Sequence, residues 1–213
     1  MGYDMTIENP DSTEDAGLAA AKQEFNATVA EREQLNVKHD DPAYQAAQAK
    51  VDEAYKAMSA AHTTYFRLNI WGMSRYCDAM YDLGMVIAGN GHPPFPKLPD
   101  GITWEDVEAV EYPADHEGET AKPEAVAHHA AHEAVLAWHA GEPQGIELHK
   151  FGSNDDWLVT PDEIAAALAA YRKHDPQRVD IALTEAGIDD RDYWDRWIGY
   201  LTRAQGQGGF RVG

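Results

Sequence analysis

One cysteine, Cys77, stands in a chain of 213 residues, so no disulfide can form within it. That scarcity fits a reducing compartment and removes any Cys/His zinc cluster. Cys77 lies in the run Tyr76-Cys77-Asp78-Ala79-Met80, where a small buried side chain is the expected role rather than a nucleophile. Positive charge is also scarce: 17 Lys and Arg against 37 Asp and Glu give a net charge of −20. A surface of that sign repels a phosphate backbone, so direct nucleic-acid binding is disfavoured. Long apolar runs are missing. The richest stretch, 65–88, is broken by Arg67, Arg75, Asp78 and Asp82, which excludes a simple membrane span. The opening MGYDMTIENP has no basic segment followed by an apolar stretch, so no signal peptide is expected and the predicted location is the cytoplasm. The chain also lacks a Gly-x-Ser-x-Gly elbow, a Gly-Lys-Ser/Thr phosphate loop and an internal repeat.

What is present is a core. Hydrophobic residues make up 44% of the chain and include 6 Trp, 10 Tyr and 5 Phe, which argues against wholesale disorder. The excess acid reads as solubility, as adaptation to salt, or as a surface that occupies a basic site on a protein partner.

The pattern predicts a mainly α fold. Residues 1–12 are polar and read as a flexible or extended lead-in. Leu18, Ala21, Phe25, Val29 and Leu35 mark a first helix over 13–36, and Asp41-Pro42 supplies a cap and first turn for a second over 42–62. In the second, Tyr44, Ala47, Val51, Ala54, Met58, Ala61, Tyr65 and Leu68 alternate spacings of three and four, a narrow seam suited to an antiparallel hairpin with the first. The same 44–68 seam would also serve a homo-oligomer. Apolar residues on several faces over 63–88 predict a buried core helix ending near Gly89-Asn90-Gly91.

Four prolines within 92–101 predict a polyproline-like connector, followed by an acidic stretch with a short helix starting at Thr103. A helix over 123–140 follows, then an extended stretch at 146–151. Thr160-Pro161-Asp162-Glu163, Asp175-Pro176 and Asp190 open three further helices. The closing GQGGFRVG reads as a tail or a small edge element. The expected organisation is an N-terminal helical module (1–90), a Pro-rich acidic connector (91–122) and a C-terminal helical module (123–213). Aromatic surfaces around Trp71 and Trp194 are expected to join the modules.

One helix carries the clearest candidate chemistry. At about 100° per residue, His128, His132 and His139 fall within an arc of about 40°, with Glu124 about 40° to one side. Ala127, Ala130, Ala131, Ala134 and Trp138 form a different face, which reads as the packing face and leaves the histidines solvated and responsive to pH. His128 and His132, four apart, have the spacing to hold one divalent metal ion, with Glu124 as a third ligand. The zinc-protease pattern is absent, since His129 stands where its glutamate would be. No other cofactor is implied. A second candidate, His149 to Trp157, is a polar turn between aromatics. It lacks the alternating ligands and central glycine of a calcium loop.

The stretches HKFGSNDDWLVTPDEIAAAL, YWDRWIGYLTRA, GGFRV and YFRLNIWGMSRY resemble an uncharacterised family of proteins from actinobacteria and their phages. The resemblance implies a bacterial or phage-infected cytoplasm and brings no activity or catalytic residues. Within these motifs Trp157, Pro161, Trp194, Trp197 and Phe210 read as core and cap positions. Three functions are consistent with the sequence. The first is a non-enzymatic acidic protein-interaction protein, such as a phage accessory factor. The others are a metal-dependent enzyme centred on His128 and His132, and a structural assembly protein.

Overall fold

The computed structural model describes residues 2–10, 12–35, 37–61, 63–89, 91–116 and 120–213, with the side chains of 12–16, 59 and 60 left out. Among the described residues the chain is mainly helical, with eight α-helices, but its centre is a sheet that the helical periodicity conceals. The lead-in is strand β1 (Gly2–Ile7). The expected core helix begins as strand β2 (Tyr65–Asn69), where burial alternates with period two: Phe66 and Leu68 point inward, Arg67 and Asn69 outward. Asn69 then caps helix α3 (Ile70–Asp82), its side chain accepting from the Gly72 amide. Gly84, at φ +67°, turns the chain after that helix, several residues before the predicted stop. His62, which the predicted second helix included, lies outside the described residues.

The closing GGFRV is strand β6 (Phe210–Val212), an inner strand rather than an edge. With β5 (Trp157–Val159) it completes a four-stranded antiparallel sheet of order β2-β1-β6-β5. Met5 pairs with Phe66 on one side and with Val212 on the other. A separate parallel pair joins β3 (Val86–Ile87) to β4 (Ile146–Glu147).

One face of the larger sheet is apolar. Met5, Ile7, Phe66, Leu68, Trp157, Val159, Phe210 and Val212 meet helix α8 (Arg191–Gly206), which contributes Trp194, Trp197, Tyr200 and Leu201. Helices α6 (Pro161–Tyr171) and α7 (Pro176–Glu185) add Ile164, Leu168, Val179 and Leu183 to the same core. Trp157, Trp194, Trp197 and Phe210 are therefore core residues, and Pro161 opens α6. Trp71 is not a joining surface, being 79% exposed, whereas Trp194 packs against Tyr76 and Tyr171.

The boundaries at 90 and 122 do not separate cores, because Met5, Met80, Val86, Ile146 and Phe210 share one. The connector is itself folded. Helix α4 (Trp104–Glu111) is held by a capping box between Thr103 and Asp106 and packs Val107 against Ala125 of α5 (Pro123–Leu136). On the sheet's other face Arg211 bonds Glu8 of the β1 end, Glu133 of α5 at 2.5 Å, and Asp156.

Helices α1 (Ser12–Gln34) and α2 (Pro42–Ala61) form the expected hairpin. Val51 and Ala54 of the seam are buried, Phe25 meets Tyr55, and Arg32 donates to Gln48. Within α2 the seam thus faces α1, whereas its last two predicted positions, Tyr65 and Leu68, belong to β2, and Leu68 enters the main core.

Candidate functional site

The helix carrying the histidines packs in the opposite sense to the one its alanines suggest. On α5 the buried positions are Ala125, His128, Val135 and Leu136. Ala127, Ala130, Ala131 and Ala134 are exposed, and Trp138 is partly so. The expected solvated histidine face is therefore an inner face. The physical reason is shape: the neighbouring surface is built of flat rings, and an imidazole stacks on a ring where an alanine methyl leaves space. His128 keeps only 4% exposure and lies edge-on to Trp104 at 6.1 Å. His132 stacks on Phe95 at 4.8 Å. His139 is beyond the helix, which ends at Leu136, and its Nδ1 lies 2.9 Å from the Gly141 carbonyl.

The proposed ligands do not converge. Glu124 is exposed while His128 is buried, and among the described residues no three His, Cys, Asp or Glu side chains form a group able to hold a metal ion.

The structure instead joins the two candidate segments to each other. Phe95 of the Pro-rich segment sits between His132 and Trp157. His92 packs against Trp157 at 4.6 Å and against His149 at 5.3 Å, and His149 meets Trp157 edge-on at 4.7 Å. Three histidines and two aromatics from α5, the Pro-rich segment, β5 and the turn after β4 thus form one continuous cluster.

At its inner edge lies Glu147, 2% exposed. Its Oε1 accepts from the Ala140 amide at 2.8 Å, and its Oε2 lies 3.2 Å from His149 Nδ1. The second contact is within ion-pair reach, yet neither atom makes an aligned hydrogen bond, so it is a close electrostatic approach. Gly89, at φ +68°, passes over this carboxylate so closely that a Cβ there would come within 2.8 Å of Oε2. Burial lowers the His149 pKa, which the Glu147 carboxylate opposes and Lys150 and His92 reinforce. A neutral imidazole beside a carboxylate is the pairing of a general base with its orienting group. Here, however, His149 Nε2 is shielded from solvent and faces no acceptor or donor, so the pair is closed to a substrate in this conformation.

Next in sequence, Lys150 is wholly buried. Its Nζ donates to Glu163 Oε2 and to the Leu158 carbonyl, both at 2.7 Å. Burial lowers its pKa, and Glu163 opposes the shift. This pair ties the turn after β4 to β5 and to the capping box of α6, where Glu163 Oε2 also accepts from the Thr160 amide and hydroxyl.

Glu147 and His92 were not singled out by sequence spacing. Glu147 had a weak signal: it stands two residues before His149 in a stretch read as extended, which places both on one face. His92 had none, because only the fold of the Pro-rich segment brings it to Trp157.

No family model, curated protein or solved structure matches this chain. Among the described residues, no helix is long and apolar enough to cross a membrane.

Proposed function

We propose that this chain is a non-enzymatic interaction protein, and that the α1–α2 hairpin is the part that engages another protein. One observation carries the reading. The two helices pack on each other far more than on any other element, and no side chain described on α1 is fully buried. Two helices of this length, about 30 Å for the 20 residues of α2, contribute little to the body's core. Leu35 and Val37 are exposed where the helices turn, and Tyr55 on one flank. The net charge of −20 adds long-range attraction to a basic partner and makes the association sensitive to salt. The closed setting of His149 and Glu147 supports the same reading over catalysis at the histidine cluster.

The test is site-specific photo-crosslinking in the native host, with the crosslinker at Leu35 or Val37 and a control at Ile181, an exposed body residue. A discrete protein adduct at the hairpin positions, absent from the control and weakened by salt in lysate, is expected. Equal labelling at all three positions, or none at the hairpin, would remove the reading.

A further inference from the structure

A cleft of about 500 Å³ opens between two walls on the side of the body where α3 begins. That volume is within the range of small-molecule sites. The walls carry opposite charge. The β2–α3 wall presents Arg67 and Arg75, and the α7–α8 link presents Asp189 and Asp190. Among the described residues, no ion pair joins the arginines to these aspartates. Arg75 spends one donor on the Gly187 carbonyl at 3.0 Å, and Arg67 approaches Asp4 at 3.5 Å and donates to the Tyr65 hydroxyl, which still leaves several of their N–H groups uncommitted. Asp190 gives one oxygen to the Tyr193 amide as the cap of α8 and keeps the other.

Between the walls lies Tyr76, 4% exposed, whose hydroxyl has no hydrogen-bond partner. Burial, reinforced by Tyr193 and Asp190 of the cleft wall, pushes its pKa up, so the hydroxyl stays protonated and able to donate. A buried hydroxyl is rarely left without a partner, and Tyr76 is one of the residues that line the cleft. Leu68 and Ile188 supply apolar lining.

The geometry points to a binding site for a small zwitterion of the amino-acid class. Its carboxylate faces Arg67, Arg75 and the Tyr76 hydroxyl, its ammonium faces Asp189 and Asp190, and its side group lies on Leu68 and Ile188. The planar forks of the arginines match a carboxylate. An anion without the ammonium meets two uncompensated aspartates, and an amine without the carboxylate meets the arginines. None of the residues that line the cleft belongs to the hairpin, and the site does not depend on the interaction reading.

Thermal shift and calorimetric titration of the full chain with the standard amino acids tests this. At least one amino acid is expected to raise the melting temperature, with its amine-free and carboxylate-free analogues bound about tenfold more weakly or worse. Arg75→Gln and Asp189→Asn, both at exposed positions, should weaken binding by about tenfold each. Tyr76→Phe separates a site from a structural residue. It removes a buried unpartnered group, so the free protein should melt at or above the wild-type temperature, while affinity falls several-fold. The proposal is overturned if no amino acid binds at millimolar concentration. It is equally overturned if a binder tolerates Arg75→Gln and Asp189→Asn unchanged.

Discussion

Replacing Lys150 by Met is expected to destabilise the chain more than most single substitutions away from the aromatic core. The side chain is wholly buried, so Met fills a similar volume and the change is chiefly the loss of the ammonium. Glu163, also wholly buried, keeps the Thr160 amide and hydroxyl but loses its cation, and the Leu158 carbonyl loses its donor. Removing one partner of a buried pair costs about 3–5 kcal/mol. At about 2–4 °C per kcal/mol for a chain of this size, the melting temperature should fall by roughly 6–20 °C. Urea titration with calorimetry reads both quantities. The double variant Lys150→Met/Glu163→Gln removes both charges and retains a side-chain oxygen for the Thr160 amide, so it should recover at least half of the loss. A single-variant loss below about 1 kcal/mol, or a double variant no more stable than the single, would refute the account of a carboxylate left uncompensated in the core.

Gly209→Ala places a Cβ 2.2 Å from the Val159 carbonyl oxygen at a residue with φ +93°, and should cost at least about 2 kcal/mol, whereas Gly206→Ala, with open space around it, should be neutral or stabilising in the same denaturation assay. Burial, reinforced by Asp78, pushes the Cys77 thiol up to about 12, so iodoacetamide should leave the folded chain unlabelled at neutral pH and alkylate it in urea; rapid labelling of the native chain would contradict the burial. Because burial lowers the His149 pKa below the ordinary 6.5, the unfolded chain binds the proton more readily across that interval, and stability should fall as pH drops through it. His149→Gln should flatten that slope in melting temperatures measured between about pH 7.5 and 5.5.

The features legible in the sequence are those decided within a few residues. The capping boxes at Thr103/Asp106 and Thr160/Glu163, and the caps at Asp175 and Asp190, depend on side chains reaching amides two or three positions away. The seam of α2 was legible because its partner helix lies immediately before it. The four-stranded sheet was not, since β5 and β6 have three residues each, too few to express a period. The strand β2 was hidden for another reason: Asn69 ends the strand and caps α3 without an intervening turn, so two periodicities merge into one apolar run. The orientation of α5 is not legible in the sequence, because composition does not say what an alanine face will meet. His128 and His132 are turned inward by Trp104 and Phe95, both in the segment expected to be a spacer.

The central position of β1 and β6 has a consequence for how the chain is made. On a ribosome β1 emerges before β2 and soon finds it, but its other edge has no partner until residues 210–212 follow. Asp4 and Gly213, which exchange amide-to-carbonyl bonds at 2.8 Å in both directions, are separated by all the helices of the fold. For that interval the nascent protein carries an open strand edge, the feature most prone to pairing with a neighbouring chain. The acidic excess accumulates over the same interval, and like charge on adjacent nascent chains opposes their association until the closing strand arrives.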